Sequence, residues 1–113
     1  MSDKNNNSNL APATAYSLAK LVEYAPGSVV SRTIHKSKAG TITLFAFAAG
    51  QELSEHSAPY DAWLQVLDGA VKVIIGGEPV QAKDGEIVLL PANVPHAVVA
   101  ETDFKMALTM IRG

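Results

Sequence analysis

The sequence predicts an all-β domain. Segments of roughly four to eight β-forming residues recur along it, glycine- and proline-bearing turns separate them, and only one stretch shows helical spacing. No β-α-β rhythm and no internal repeat appears, so a parallel α/β sheet or a solenoid is not expected.

The elements follow in order. Residues 1–12 are polar and asparagine-rich (Asn5, Asn6, Asn7, Asn9) and offer almost nothing to bury, so a disordered tail is expected. In residues 13–25, Leu18, Leu21 and Val22 recur at helix spacing, and Pro26-Gly27 stops the pattern. That predicts a short helix or arm, 13–27, docked on the main body.

A barrel or sandwich is expected over 28–112, within one domain of 13–113. Val29, Val30, Thr33 and Ile34 are β-formers. Residues 41–48 form a strand-rich run bounded by Gly40 and Gly50. Residues 62–67 lead into a turn at Asp68-Gly69, and 71–75 into Gly76-Gly77, a tight-hairpin signal. Residues 80–82 return, and Lys83-Asp84-Gly85 turns the chain into 86–90. Residues 91–95, with Pro91 and Pro95, form a stiff loop before 96–100, and 104–111 completes about eight short strands. Periodicity alone leaves immunoglobulin-like, OB-like and jelly-roll topologies open.

Composition narrows the function. The chain has 113 residues, 48% of them hydrophobic, which suffices for one core but leaves much surface, so oligomerisation is a natural source of stability. A net charge of -2, without a basic stripe, argues against nucleic-acid binding. With no cysteine, disulfides, thiolate metal sites and a cysteine nucleophile are excluded. No apolar run approaches the roughly 20 residues needed to span a bilayer, and no leader pattern opens the chain, so a cytoplasmic location is expected. Gly76-Gly77 lacks the Lys-Ser/Thr of a phosphate loop.

Two histidines carry the chemistry. Gly50, His56 and Gly69 fall in one frame; Gly85, Pro91 and His96 fall in another. Together these frames resemble the two signature motifs of the cupin superfamily. The first family motif is Gly, five residues, His, one residue, His, three or four residues, Glu, six residues, Gly. The second is Gly, five residues, Pro, one residue, Gly, two residues, His, three residues, Asn. Ala58 takes the second His position, Ala62 the Glu position, Asn93 the loop Gly and Ala100 the final Asn. The resemblance, over residues 28–112, implies a small conserved-barrel cupin of the RmlC-like type. Its fold would be a double-stranded β-helix, or jelly-roll barrel, with a short N-terminal helix or arm. Asn93 suits the implied loop, because asparagine is one of the few residues besides glycine that tolerates positive φ.

Strand alternation adds a pocket. If residue 62 faces inward, so do Leu64 and Val66; if His96 faces inward, so do Val98 and Ala100. His56 and His96 would then meet in an aliphatic-walled cavity. The family resemblance implies that they are two ligands of a divalent metal such as zinc, nickel, manganese or iron. With alanine at 58 and 62, the compensating donor would be Asp61, swung inward by a bulge; Glu55 and His35 are weaker candidates. Without a metal, His56, His96 and Asp61 would hold a polar group of a small organic ligand, with Leu64, Val66 and Val98 around it. The sequence favours this binding module. The alternative is a divalent-metal cupin enzyme, an isomerase or dioxygenase with a reduced ligand set. Proton transfer by His and Asp is conceivable, but a Ser57–His56 pair is not supported, because strand neighbours point to opposite faces.

Other residues have plainer roles. Trp63, the only tryptophan, should point out of the barrel beside Leu67, as an anchor of a homodimer or packed under the arm; the interface is preferred. Met106 with Met110, and Phe45 with Phe47, should be packing pairs. Lys36 and Lys38 should be solvated edge charges. Arg32 and Lys105 are expected on the surface, or else against an anionic ligand at the pocket mouth. Pro59 and Pro95 stiffen the loops beside the histidines.

Overall fold

A computed structural model describes residues 10–112. Among them are nine strands: β1 (Val29–Ser37), β2 (Gly40–Phe47), β3 (Glu52–His56), β4 (Asp61–Asp68), β5 (Ala70–Ile75), β6 (Glu78–Lys83), β7 (Ile87–Leu90), β8 (His96–Ala100) and β9 (Phe104–Ile111). They form a five-stranded sheet, β1-β2-β9-β4-β7, and a four-stranded sheet, β3-β8-β5-β6, paired antiparallel throughout. The architecture is a jelly-roll barrel.

The turns form where the glycines allow them. Gly76 and Gly77 both take positive φ, +58° and +87°, which is the backbone twist a two-residue hairpin between β5 and β6 requires. Eight strands sit where the β-forming segments predict them. The ninth, β3, is missed by that pattern. Its Glu52–His56 run is mostly exposed and pairs only with β8, so no apolar alternation marks it.

The core lies between the sheets. Phe47 of β2, Ala62, Leu64 and Val66 of β4, Val71 and Val73 of β5, Val98 and Ala100 of β8, and Phe104 and Met106 of β9 interdigitate there. Phe45 and Phe47 share the inner face, their ring centroids 6.0 Å apart. Met106 is fully buried and Met110 only partly, so the methionine pair is packing material at two depths.

A second cluster lies outside the five-stranded sheet. Ile34, Leu44, Ala46 and Ala107 on its outer face take Val22, Leu10, Leu18, Leu21 and Tyr24 from the arm. The expected helix is reduced to one 3-10 turn, Leu18–Lys20. A stretch this short gains little from helical hydrogen bonding in isolation. Docking therefore decides its path, and a sheet surface accommodates an irregular chain.

Polar links fasten the arm. Arg32 Nη1 donates to the Leu21 carbonyl, and Lys105 Nζ donates to that of Ala19 while sitting 4.9 Å from the centre of the Tyr24 ring. The Tyr24 hydroxyl donates to Asp68 Oδ2 at 2.6 Å, and burial together with that carboxylate raises its pKa. Arg32 and Lys105 thus serve the arm and do not line a ligand mouth. Of the expected tail, residues 1–9 lie outside the described residues; residues 10–12 are described, and Leu10 belongs to the docked cluster. No described helix is long and apolar enough to cross a membrane.

Candidate functional site at the barrel mouth

The two histidines meet. His56 on β3 and His96 on β8 are directly paired across the ladder. Their ring centroids are 4.4 Å apart and the planes stand at 68°, an edge-to-face arrangement. His96 is buried, 6% exposed, whereas His56 is exposed.

A bulge makes the pair. Leu53 is opposite Val98, so an uninterrupted antiparallel register would put Glu55 opposite His96. The register shifts by one residue between Leu53 and His56, and His56 takes that place instead. The same shift restores His56 to the face that Leu53 shares with the core. Strict alternation would have turned it away.

Both rings are oriented by main-chain carbonyls two residues back. His56 Nδ1 is 2.8 Å from the Ser54 oxygen, and His96 Nδ1 is 3.3 Å from that of Val94. A carbonyl oxygen only accepts, so each Nδ1 carries the proton and each Nε2 keeps its lone pair. The Ser54 carbonyl belongs to the bulge itself. The Val94 carbonyl belongs to the 91–95 loop, which is turned by Asn93 at φ +66°, as the glycine-to-asparagine exchange predicts. The Asn93 amide donates to the Ala58 carbonyl at 2.7 Å and ties the two histidine-bearing loops together. Ile75 pairs with His96 on its other side, leaving an apolar neighbour at the mouth.

The rest of the expected site is not brought there. Asp61 lies with Trp63, Gln65 and Leu67 on the outer side of β4, opposite Ala62, Leu64 and Val66. Its Oδ1 accepts the Ala92 amide at 2.9 Å, and the β4 bulge falls between Val66 and Asp68, too far along to swing it inward. Among the described residues no group of three or more His, Cys, Asp or Glu is placed to hold a metal ion, so Glu55 and His35 do not complete one either. Leu64, Val66 and Val98 are only 0%, 1% and 2% exposed. Side chains with so little accessible surface cannot wall a void that admits water. They are packed core, and the ligand cavity expected behind the histidines is filled. What remains is a shallow site at the rim.

Two imidazoles do not fit a resident metal. Structural and catalytic zinc sites draw three or four protein ligands, and Ala58 and Ala62 offer no donor atom.

The pair has a pH signature. Burial, reinforced by the neighbouring His56, lowers the His96 pKa below its ordinary 6.5, against the opposing Val94 hydrogen bond. The unfolded chain then binds a proton below pH ~6.5 that folded His96 refuses. Its contribution is complete above that pH and is lost as pH falls toward the folded pKa. Thermal midpoints measured from pH 7.5 down to 5 should fall more steeply for the wild type than for His96→Gln; parallel curves would contradict this.

The family model described as "Cupin domain" matches residues 43–112. Among solved structures, a conserved protein of unknown function from Streptococcus pyogenes is 30% identical, with a TM-score of 0.88 over 94% of this chain and 93% of that one. A cupin 2 conserved barrel domain protein from Leptotrichia buccalis is 43% identical at TM-score 0.83, over 86% of this chain and 47% of its own length. A variant of salicylate 1,2-dioxygenase from Pseudoaminobacter salicylatoxidans shares the fold at 22% identity and TM-score 0.70, over 77% of this chain and 27% of that one. No curated protein matches.

Proposed function

The chain belongs to the cupin family, and from that premise we propose that it binds a small polar organic molecule at the barrel mouth, between His56 and His96. One observation carries the reading: two adjacent rings whose Nδ1 protons are spent on main-chain carbonyls, leaving two Nε2 lone pairs, with no third metal-ligating side chain beside them among the described residues. Two neighbouring acceptors suit a ligand that presents two donors, such as a vicinal diol. Exposed His56 admits it from solvent, buried His96 supplies a fixed acceptor, and Ile75 lies beside its apolar part. The filled barrel behind the pair limits the molecule to one that lies across the rim.

The test uses full-length protein purified without chelators. Imidazole ¹⁵N spectra should show both rings protonated at Nδ1. Titration with polyols and aldoses should find a member that shifts both Nε2 signals. A His56→Ala variant, truncated at an exposed side chain, should bind that compound at least about tenfold more weakly, a loss of ~1.4 kcal/mol. Stoichiometric metal in the purified protein, removed by a His56→Ala/His96→Ala double change, would instead establish the metal-dependent reading. Binding that survives His56→Ala would place the site elsewhere.

A further inference from the structure

A cleft of about 520 Å³ opens on the outer side of the five-stranded sheet. Asp61 and Trp63 of β4 and Ile111 of β9 enter it from the sheet, where Asp61 and Ile111 are paired across the ladder. Pro59 and Tyr60 come from the loop that follows His56, and Ala92 from the loop that precedes His96. The cleft uses neither imidazole. We propose that it is a second binding site, and that its ligand is an uncharged pyranose sugar unit, with a ring face on Trp63 and a hydroxyl group on Asp61.

The polar groups are fixed but not spent. Asp61 Oδ1 accepts the Ala92 amide at 2.9 Å, which holds the carboxylate in place. That is its one hydrogen bond among the described residues, so Oδ2 keeps a charged acceptor for a ligand. The Arg112 guanidinium lies 5.2 Å from the centre of the Tyr60 ring, a cation–π contact that orients it. Its N–H groups make no hydrogen bond or ion pair among the described residues. A strong acceptor and a set of strong donors thus stand around one apolar surface without satisfying each other.

The ligand class follows from the lining. Asp61 is its only charged residue, and Arg112 against Tyr60 balances that charge. Neither an organic cation nor an organic anion therefore meets an excess of opposite charge. A purely apolar ligand would strip water from Asp61 Oδ2 and leave it without a partner. A hydroxyl group both donates and accepts, so neighbouring hydroxyls answer the carboxylate and the guanidinium together. Trp63, 38% exposed, offers the rest of the surface. One face of a pyranose ring is lined by C–H bonds with a slight positive charge, and these suit the negative face of an indole. The volume lies within the range of about 300–1,000 Å³ usual for small-molecule sites.

The experiment is titration of the full-length, ¹⁵N-labelled chain with the methyl glycosides of glucose, galactose and mannose, read at the indole N–H of Trp63. Tetramethylammonium and acetate serve as charged probes. One glycoside should shift the indole signal to saturation, and neither charged probe should displace it. Asp61→Asn keeps an oxygen for the Ala92 amide but loses the carboxylate, and should weaken binding at least about tenfold. Trp63→Leu, read at the Tyr60 amide, should weaken it as much, with far-ultraviolet dichroism unaltered in both variants. Shifts confined to the histidine signals would leave the rim site standing and overturn this one. So would the absence of any indole shift, an affinity unchanged by either substitution, or displacement by tetramethylammonium or acetate.

Discussion

Replacing Phe104 with alanine is expected to cost about 3–5 kcal/mol and to lower the thermal midpoint by at least ~12 °C. Phe104 opens β9, has no accessible surface, and packs its ring 5.3 Å from that of Phe47 across the β2–β9 ladder. Truncation removes the transfer free energy of a full aromatic ring and leaves a hole. Leu64, Val66, Val71 and Met106, held by strands of both sheets, cannot all move to fill it. The tilted ring pair adds about 0.5–1.5 kcal/mol to the loss. Against a total of about 5–15 kcal/mol for a domain of this kind, that is a large fraction. Urea unfolding measures it. A loss under about 1 kcal/mol would mean that the core is much looser than its burial implies.

Gly69→Ala is expected to cost about 3 kcal/mol, from two sources that can be separated. Gly69 joins β4 to β5, so the chain crosses there from one sheet to the other. Its φ is +85°, and a Cβ would run into the carbonyl oxygen of Asp103. The backbone conformation alone costs an alanine about 1–2 kcal/mol. The collision costs more, because Asp103 is not free to retreat: its Oδ1 accepts the Ala49 amide, and its carbonyl accepts the Thr102 hydroxyl. Gly77 is the control. Its φ is +87°, but a Cβ there meets nothing within 4 Å, so Gly77→Ala should show the conformational cost alone. Equal losses at the two positions would show that the Asp103 segment yields.

The same division between local and distant causes explains which features are legible in the sequence. Val71–Val73, the Gly76-Gly77 turn and the alternation through Ala62, Leu64 and Val66 announce themselves within a few residues, because a strand's period is two and a turn's φ belongs to single residues. Asn93 was legible for that reason. β3 was not, since a polar edge strand is defined by the neighbour it pairs with. The Ala13–Ala25 periodicity pointed to a helix that docking on the sheet overrode.

The histidine pair falls between these cases. The glycine frames carry His56 and His96 into the two motifs, and the resemblance brings them to one place. Alternation alone would have turned Glu55 toward His96. The bulge that substitutes His56 depends on how β3 meets β8, some forty residues further along the chain.

The amino-acid order marked eight of the nine described strands and their turns, and its resemblance to the cupin motifs marked the loss of two family ligands at Ala58 and Ala62. Packing between distant strands settled that Asp61 faces outward, that the space behind the histidines is filled, and that the described residues leave an apolar face around Trp63 exposed. The reason is physical: conformation is set by near neighbours, whereas filled volume and covered surface are set by side chains that distant strands bring together.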